Sequence, residues 1–213
     1  MYLSRAELDP ARRSTMTALV SPQKIHGAIE SSFAGERRRR LWRLDPLGGK
    51  LYLLLLSEEV PDLTGLCQQF GTGAAPETRD YTPLLERVTP GSCWQFRLTA
   101  NPTRSCKIPG GPQARGRLKP CYLEVEQRAW LRDQAEKHGF VLEDTSFSVT
   151  GKQTYHFEKN GTRPVTLLAV TYEGILQVTD PEPFKAMLCE GVGRGKAYGL
   201  GLMTLLRKGG DHG

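Results

Sequence analysis

His26 sits two residues beyond Lys24 near the start of an apolar-striped segment, and Arg194 and Lys196 are set among glycines near the C-terminus. These are the residue types that could handle a phosphodiester. Imidazole donates or accepts a proton near neutral pH, as strand scission through a ribose 2′-hydroxyl requires, and that reaction needs no metal. A lysine or arginine, Lys24 or a cation of the glycine stretch, could stabilise charge on the phosphorane. The other histidines fit such work less well: His212 lies in a polar tail, His138 precedes Gly139 at a helix end, and His156 belongs to a hairpin that can face either way. His26 lies about 100° around the helix from Ile25, at the border of the apolar stripe, in an arc with Gln23 and Glu30. Border histidines are common in structural roles, so position alone does not make His26 catalytic.

Five glycines, Gly191, Gly193, Gly195, Gly199 and Gly201, fall within eleven residues. Glycine permits positive φ and close backbone approach, and the cations among them make an anion the natural ligand for Gly193, Arg194 and Lys196. Neither familiar mononucleotide loop fits. GxGxxG from Gly191 would need glycine at Lys196, and GxxxxGK would need glycine at Glu190 and a hydroxyl residue at Ala197. The stretch also runs from a helix into a strand, the reverse of those loops. A plain turn between two elements would use the same glycines.

Positive charge recurs at three further places: Arg37, Arg38, Arg39 and Arg40 with Arg43 beyond; the loop 101–120 with Arg104, Lys107, Arg115, Arg117 and Lys119; and a hairpin with Lys152, Lys159 and Arg163. Consecutive arginines ahead of a strand cannot all point to one side, so only some of the run is expected to reach a ligand, and any of the three could be a solvated face. Charge at several sites suits a folded RNA better than one phosphate. Trp42, Trp94 and Trp130 sit inside patterned segments and read as core.

The chain has 213 residues, 29 Lys plus Arg against 23 Asp plus Glu, and a net charge of +6, a lean towards an acidic partner. No stretch approaches the ~20 apolar residues of a membrane span, and the start lacks the apolar core of a secretory signal. A cytoplasmic protein is expected. Five scattered cysteines with no CxxC pair predict reduced thiols, with neither disulfides nor structural zinc, and no cofactor is expected.

The elements that must position these residues read as β-α-β-β-α-β, twice. A strand over 1–7 is followed by a helix over about 22–34, opened by Ser21 as cap and Pro22, with Ile25, Ala28, Ile29 and Phe33 on one face. Strands at 41–44 and 50–56 flank a turn, then come a helix near 62–69, a loop at 71–76 and a strand at 79–85. The second half predicts a strand at 93–100, the basic loop, a helix at 123–138 supported by Glu124 and Arg128, strand-rich 140–149 and 165–178, and a hairpin over 152–163 tipped by Asn160-Gly161. A helix at 181–190, the glycine stretch and a strand at 201–206 close it. Two tandem ferredoxin-like domains are expected, 1–90 and 91–213, repeated in pattern and not in sequence.

Met1 to Arg5, Ser21-Pro22-Gln23-Lys24-Ile25-His26, Leu41 to Leu44, Phe96 to Pro102, Ala129-Trp130-Leu131 and Gly191-Val192-Gly193 through Gly199-Leu200-Gly201-Leu202 together resemble CasE, the CRISPR-associated endoribonuclease of the type I-E Cascade complex. The matches span nearly the whole chain, the glycine motif being the most specific. The resemblance implies tandem ferredoxin-like domains, metal-independent cutting of precursor RNA at the base of a CRISPR repeat stem-loop, a 2′,3′-cyclic phosphate product and retention of the hairpin with other Cascade subunits. It places the family's catalytic histidine at His26. Some relatives carry a tyrosine three residues earlier, where this chain has Gln23, which leaves His26 to act with a lysine or water. It also sends the hairpin with Lys152, Lys159 and Arg163 into the RNA stem. A non-catalytic RNA-binding subunit is the alternative, and a nucleotide enzyme is disfavoured by the failed loop motifs.

Overall fold

Residues 1–36, 38–106, 117–159 and 163–207 are described by the computed structural model. In the first half β1 (Tyr2–Leu8) leads through α1 (Arg13–Val20) and α2 (Pro22–Glu30) to β2 (Leu41–Leu47), β3 (Lys50–Ser57), α3 (Thr64–Phe70), β4 (Glu77–Asp80) and α4 (Thr82–Glu86). The strands form an antiparallel sheet in the order β2-β3-β1-β4. The second half runs β5 (Cys93–Ala100), β6 (Thr103–Cys106), β7 (Arg117–Pro120), α5 (Glu124–Lys137), β8 (Phe140–Val141), β9 (Phe147–Lys159), β10 (Arg163–Val178), α6 (Pro181–Glu190), a 3₁₀ turn (Lys196–Tyr198) and β11 (Met203–Arg207). Here β11 pairs β5, β5 pairs β10, and β10 pairs both β8 and β9. In both sheets the first strand lies between the third and the last, the arrangement of two interleaved β-α-β units, and the fold is tandem ferredoxin-like.

Alternation drives both sheets. In β5, Trp94, Phe96, Leu98 and Ala100 are buried, while Gln95, Arg97 and Thr99 occupy the opposite face. One core gathers Ile25 and Ile29 of α2 with Trp42, Leu53, Leu55 and Phe70. The other joins α5 and α6 to their sheet and also takes in Leu41, Leu56, Tyr81 and Val88 from the first half, so apolar packing runs across the junction between halves. All three tryptophans are core residues.

Several expectations need correction. The helix expected over 22–34 ends at Glu30 and is preceded by a separate helix, α1, with Pro22 at the break. Pro22 lacks an N–H, which interrupts what would otherwise be one helix. Ser21 makes no side-chain cap hydrogen bond. The strand expected over 79–85 stops at Asp80, whose carboxylate accepts from the backbone N–H of Thr82 as α4 begins. The basic loop contains a two-stranded ribbon, β6 with β7. The separate strand and hairpin expected between 140 and 178 are one long hairpin, β9–β10, with a register shift at Thr171/Tyr172. Arg128 turns from Glu124 to the carbonyls of Phe147 and Asp144 and lies over the Phe147 ring.

Candidate active site and RNA interface

The ladder Ile25, Ala28 and Ile29 seats α2 on the first sheet and leaves His26 at the border of the buried face, with 37% of its side chain exposed. Nδ1 of His26 lies 4.0 Å from Oε1 of Glu30, one turn on. Glu30 in turn accepts a 2.9 Å hydrogen bond from Nη1 of Arg40, whose side chain is only 4% exposed and whose guanidinium stacks 3.9 Å over Phe33. A carboxylate held by a buried arginine thus sits beside one imidazole nitrogen of a partly exposed ring.

Lys24 does not join it. Two residues along a helix separate side chains by about 160° at closest, and Lys24 lines a shallow depression with Ala28, Ser31, Asp62 and Gln69 on the α3 side. The element that packs on α2 from the second half is the 3₁₀ turn Lys196–Tyr198 of the glycine stretch. Lys196 is half-buried, and burial, then Arg39, lower its pKa, with Glu190 opposing. Arg39 and Lys196 therefore place two positive charges close together from different halves of the chain.

The arginine run divides sharply. Arg37 lies outside the described residues. Arg38 is paired with Glu58 at 2.8 Å and Glu59 at 3.5 Å. Arg39 is exposed. Arg40 is buried against Glu30, and Arg43, 2% exposed, is a core residue and not part of a cationic surface. Its guanidinium holds Asp45 and donates to the carbonyls of Arg97 and Leu202 and to Oγ1 of Thr204, each at 2.7 Å. Arg97 Nε lies 2.9 Å from Oε1 of Glu173, but out of line with its N–H, so the contact is an ion pair without a hydrogen bond.

Elsewhere, Arg104 is exposed and paired with Glu126 at 3.0 Å. Lys107, Arg115, the side chain of Arg117 and the Asn160-Gly161 tip lie outside the described residues. Lys152 is exposed on β9. Lys159 and Arg163 face each other in the ladder as backbone partners. His156 approaches Oγ1 of Thr166 at 3.2 Å across the same hairpin. His138 caps α5, and burial first, then Lys137 and Lys196, lower its pKa.

The glycine stretch is explained first by packing. All five glycines have positive φ. A Cβ on Gly199 would come within 2.8 Å of the Trp42 ring, and one on Gly191 within 2.7 Å of Leu41, both side chains from the first half. The missing side chains let the loop lie flat on β2, leaving Gly193 and Arg194 exposed on its outer edge. Phe157 of the long hairpin meets Tyr198 at 4.8 Å between ring centroids, so hairpin, glycine stretch and α2 form one continuous surface. Sequence reasoning passed over Arg40 and Glu30 as partners of His26 and over Tyr155 and Tyr198. The spacing His26/Glu30, one helical turn, was the available signal.

Fold and site together define a tandem ferredoxin-like protein with a carboxylate-backed histidine beside a basic hairpin and a glycine-rich loop. A family model described as CRISPR associated protein matches residues 1–207. The CRISPR-associated endoribonuclease Cse3 of Thermus thermophilus is 31% identical over 226 residues, covering 96% of this chain and 99% of the relative. Cse3 of Thermus thermophilus bound to an RNA representing a pre-cleavage complex superposes with a TM-score of 0.78 at 29% identity, over 96% of this chain and 98% of that one. Cas6e from Escherichia coli shares the fold, with a TM-score of 0.67 at 20% identity over 97% and 100% of the two chains. The chain belongs to this family of CRISPR-associated endoribonucleases. Among the described residues no helix is long and apolar enough to cross a membrane.

Proposed function

We propose that this protein is an endoribonuclease that binds the stem-loop of a CRISPR repeat RNA and cuts the precursor without a metal ion. The 2′-hydroxyl loses its proton and its oxygen bonds to the adjacent phosphorus. The P–O5′ bond breaks, and the 5′-oxygen takes up a proton, leaving a 2′,3′-cyclic phosphate and a 5′-hydroxyl. His26 gives or takes one of those protons, with Glu30 fixing its orientation and Arg40 fixing Glu30. Residues 1–90 form the unit that carries this histidine, and residues 91–213 the unit that supplies the hairpin and glycine loop. Lys152, Lys159 and Arg163 hold the stem, and Arg39, Arg194 and Lys196 meet phosphates near the cut, with Lys196 of the glycine stretch, and not Lys24, in the charge-stabilising part. Arg37 and Lys107 add positive charge for the same RNA. Arg38 and Arg104, each neutralised by glutamate, contribute less.

The observation that carries this reading is the half-exposed, carboxylate-backed His26 in a chain 31% identical over nearly its whole length to an endoribonuclease. The product stays bound, and the protein acts in the cytoplasm as a subunit of a Cascade assembly. Gln23, where some relatives carry tyrosine, favours a second reading in which the chain binds RNA without cutting it. Incubating the purified protein with the repeat RNA of its own CRISPR array in EDTA separates the two. A product ending in a cyclic phosphate supports the enzyme, and tight binding of intact RNA supports the alternative.

A further inference from the structure

Outward of Val170, which pairs with Ala100, β10 pairs among the described residues with β9 alone, so the outer part of the long hairpin is a two-stranded ribbon. Such a ribbon is marginal by itself and takes its direction from what it rests on. Its residues alternate: Tyr155, Phe157, Val165 and Leu167 are half-buried on one face, and Thr154, His156, Glu158 and Thr166 are exposed on the other. From the half-buried face Phe157 reaches the 3₁₀ turn of the glycine stretch, where its ring and that of Tyr198 lie 4.8 Å apart at an interplanar angle of 55°. We propose that Phe157 and Tyr198 are positioning residues, whose contact sets the RNA stem on the hairpin in place relative to Lys196. The inference rests on the endoribonuclease reading above and assigns two residues that the reading leaves without a part.

Lys196 and Tyr198 belong to one three-residue turn, and at three residues per turn their side chains leave it about 120° apart. The turn therefore meets the hairpin through Tyr198 and carries the cation on another side, while it also packs on α2, the helix of His26. It moves as a unit. Gly195 and Gly199, which bound it, have φ of 83° and 81°, and Gly199 lies so close to the Trp42 ring that a Cβ there would come within 2.8 Å. The aliphatic stem of Lys196 lies over Gly201, with Cγ 3.4 Å from where a Cβ would stand. A displacement of Tyr198 is thus a displacement of Lys196.

The ribbon supplies the other half of the relationship. Phosphates held by Lys159 and Arg163 load it at its outer end, and its supports beyond the sheet include Tyr198 and α1. Without the ring pair the hairpin keeps its cations, and so its hold on the stem, but loses a fixed angle to the turn. Orientation of that kind enters the rate of cutting rather than the affinity, because small misplacements of a charge-stabilising group weaken it only at the reacting geometry. An aromatic pair at this separation is worth a factor of about 2 to 10 beyond its burial.

The test uses the full chain, with single-turnover cutting of the repeat RNA at saturating protein as one readout. Affinity is measured on the same RNA with hydrogen in place of the 2′-hydroxyl at the cut. Phe157→Leu and Tyr198→Leu, which keep most of the apolar volume, should each slow cutting by about 2- to 10-fold and leave the affinity unchanged. Tyr198→Phe, which keeps the ring, should cut at the wild-type rate. In a Lys196→Gln background Phe157→Leu should slow cutting no further, because the group it positions is gone. Rates that multiply in the double variant, affinity lost with the rate kept, or a Tyr198→Phe variant as slow as Tyr198→Leu would each overturn the proposal. A second readout needs no turnover: acylation of the Lys196 amine, followed by peptide mass spectrometry, should be suppressed by the deoxy RNA in wild type and persist in Phe157→Leu saturated with it. No suppression in wild type, or equal suppression in both, would overturn the proposal as well. A protein that binds and never cuts would fail the enzymatic reading while acylation still decided this one.

Discussion

Arg43 and Asp45, two residues apart on one face of β2, form a doubly hydrogen-bonded pair with both bonds at 2.7 Å, inside the seam between the two halves. The carboxylate occupies Nε and one hydrogen of Nη2. Nη1 then reaches the carbonyls of Arg97 and Leu202, and Nη2 reaches Oγ1 of Thr204, all in the second half. One side chain thus joins β2 to β5 and β11 and satisfies two carbonyls that the seam would otherwise bury unpaired. The pair ties β2 to the second-half sheet beside the glycine stretch, whose 3₁₀ turn packs on α2.

Removing either partner leaves a buried charge without its counterpart, a change worth about 3–5 kcal/mol. Asp45→Asn is therefore expected to lower the midpoint of chemical denaturation strongly, and Arg43→Met comparably. An unshifted midpoint in both would mean that the seam does not depend on this pair.

Two glycine positions separate packing from exposure. Gly199→Ala meets left-handed strain of about 1–2 kcal/mol and the Trp42 ring at 2.8 Å, an overpacking cost of about 1–3 kcal/mol more. Gly193→Ala carries the same backbone strain, but its Cβ would stand 3.1 Å from the rim of Trp130 on an exposed edge. The first variant should lose clearly more stability in urea titration than the second. Gly193→Val should reduce RNA binding or cutting more than it reduces folding, and insoluble protein would instead assign Gly193 to packing.

Much of this was legible in the residues. The Ile25/Ile29 stripe, the alternation in β5 and the glycine turns each state a local preference that tertiary structure keeps. Helix α1 was not, because Thr15, Thr17 and Val20 are weak helix formers and only Thr15 and Ala18 are buried. The long hairpin reads as short in the sequence because its outer part, from Leu167 and Tyr155 outwards, extends past the end of β5, and Lys152, Gln153 and Thr154 are three exposed residues in a row with no alternation to mark a strand. The arginine run was the deepest ambiguity. Arg40 and Arg43 are buried only because Glu30, Asp45 and carbonyls at positions 97 and 202 meet them, and no local pattern announces partners so far away in sequence.

The hairpin predicts a salt signature. For every phosphate that Lys152, Lys159 or Arg163 neutralises, conversion of that cation to Ala should lower the slope of log affinity against log salt by roughly 0.7–0.9. Filter binding of the stem-loop at several salt concentrations measures it, and an unchanged slope in the triple variant would place the stem elsewhere.

His138 predicts an acid-side loss of stability. Burial lowers its folded-state pKa below the ordinary 6.5, so the unfolded chain binds the proton more readily. The stability linked to the neutral ring is present above pH 6.5 and is lost as pH falls through the lowered value. The thermal midpoint should drop between pH 7 and pH 5, and His138→Gln should flatten part of that drop. A steeper drop in the variant would contradict the assignment.

The chemistry itself is tested at His26. If the imidazole moves a proton in the transition state, His26→Ala should slow single-turnover cleavage by about 10²- to 10⁴-fold, the usual worth of a general acid or base. RNA affinity should hardly change, because it resides mainly in cations elsewhere. The fold should survive, because His26 is more than a third exposed and Ile25 and Ile29 anchor the helix. Glu30→Gln keeps shape while removing the carboxylate beside Nδ1, and should slow cutting less than His26→Ala. Replacing the 2′-hydroxyl at the cut with hydrogen should stop cleavage by wild type altogether, since the nucleophile is gone. Cutting of that deoxy RNA would exclude the mechanism, and an alanine variant with a near-normal rate would remove His26 from it.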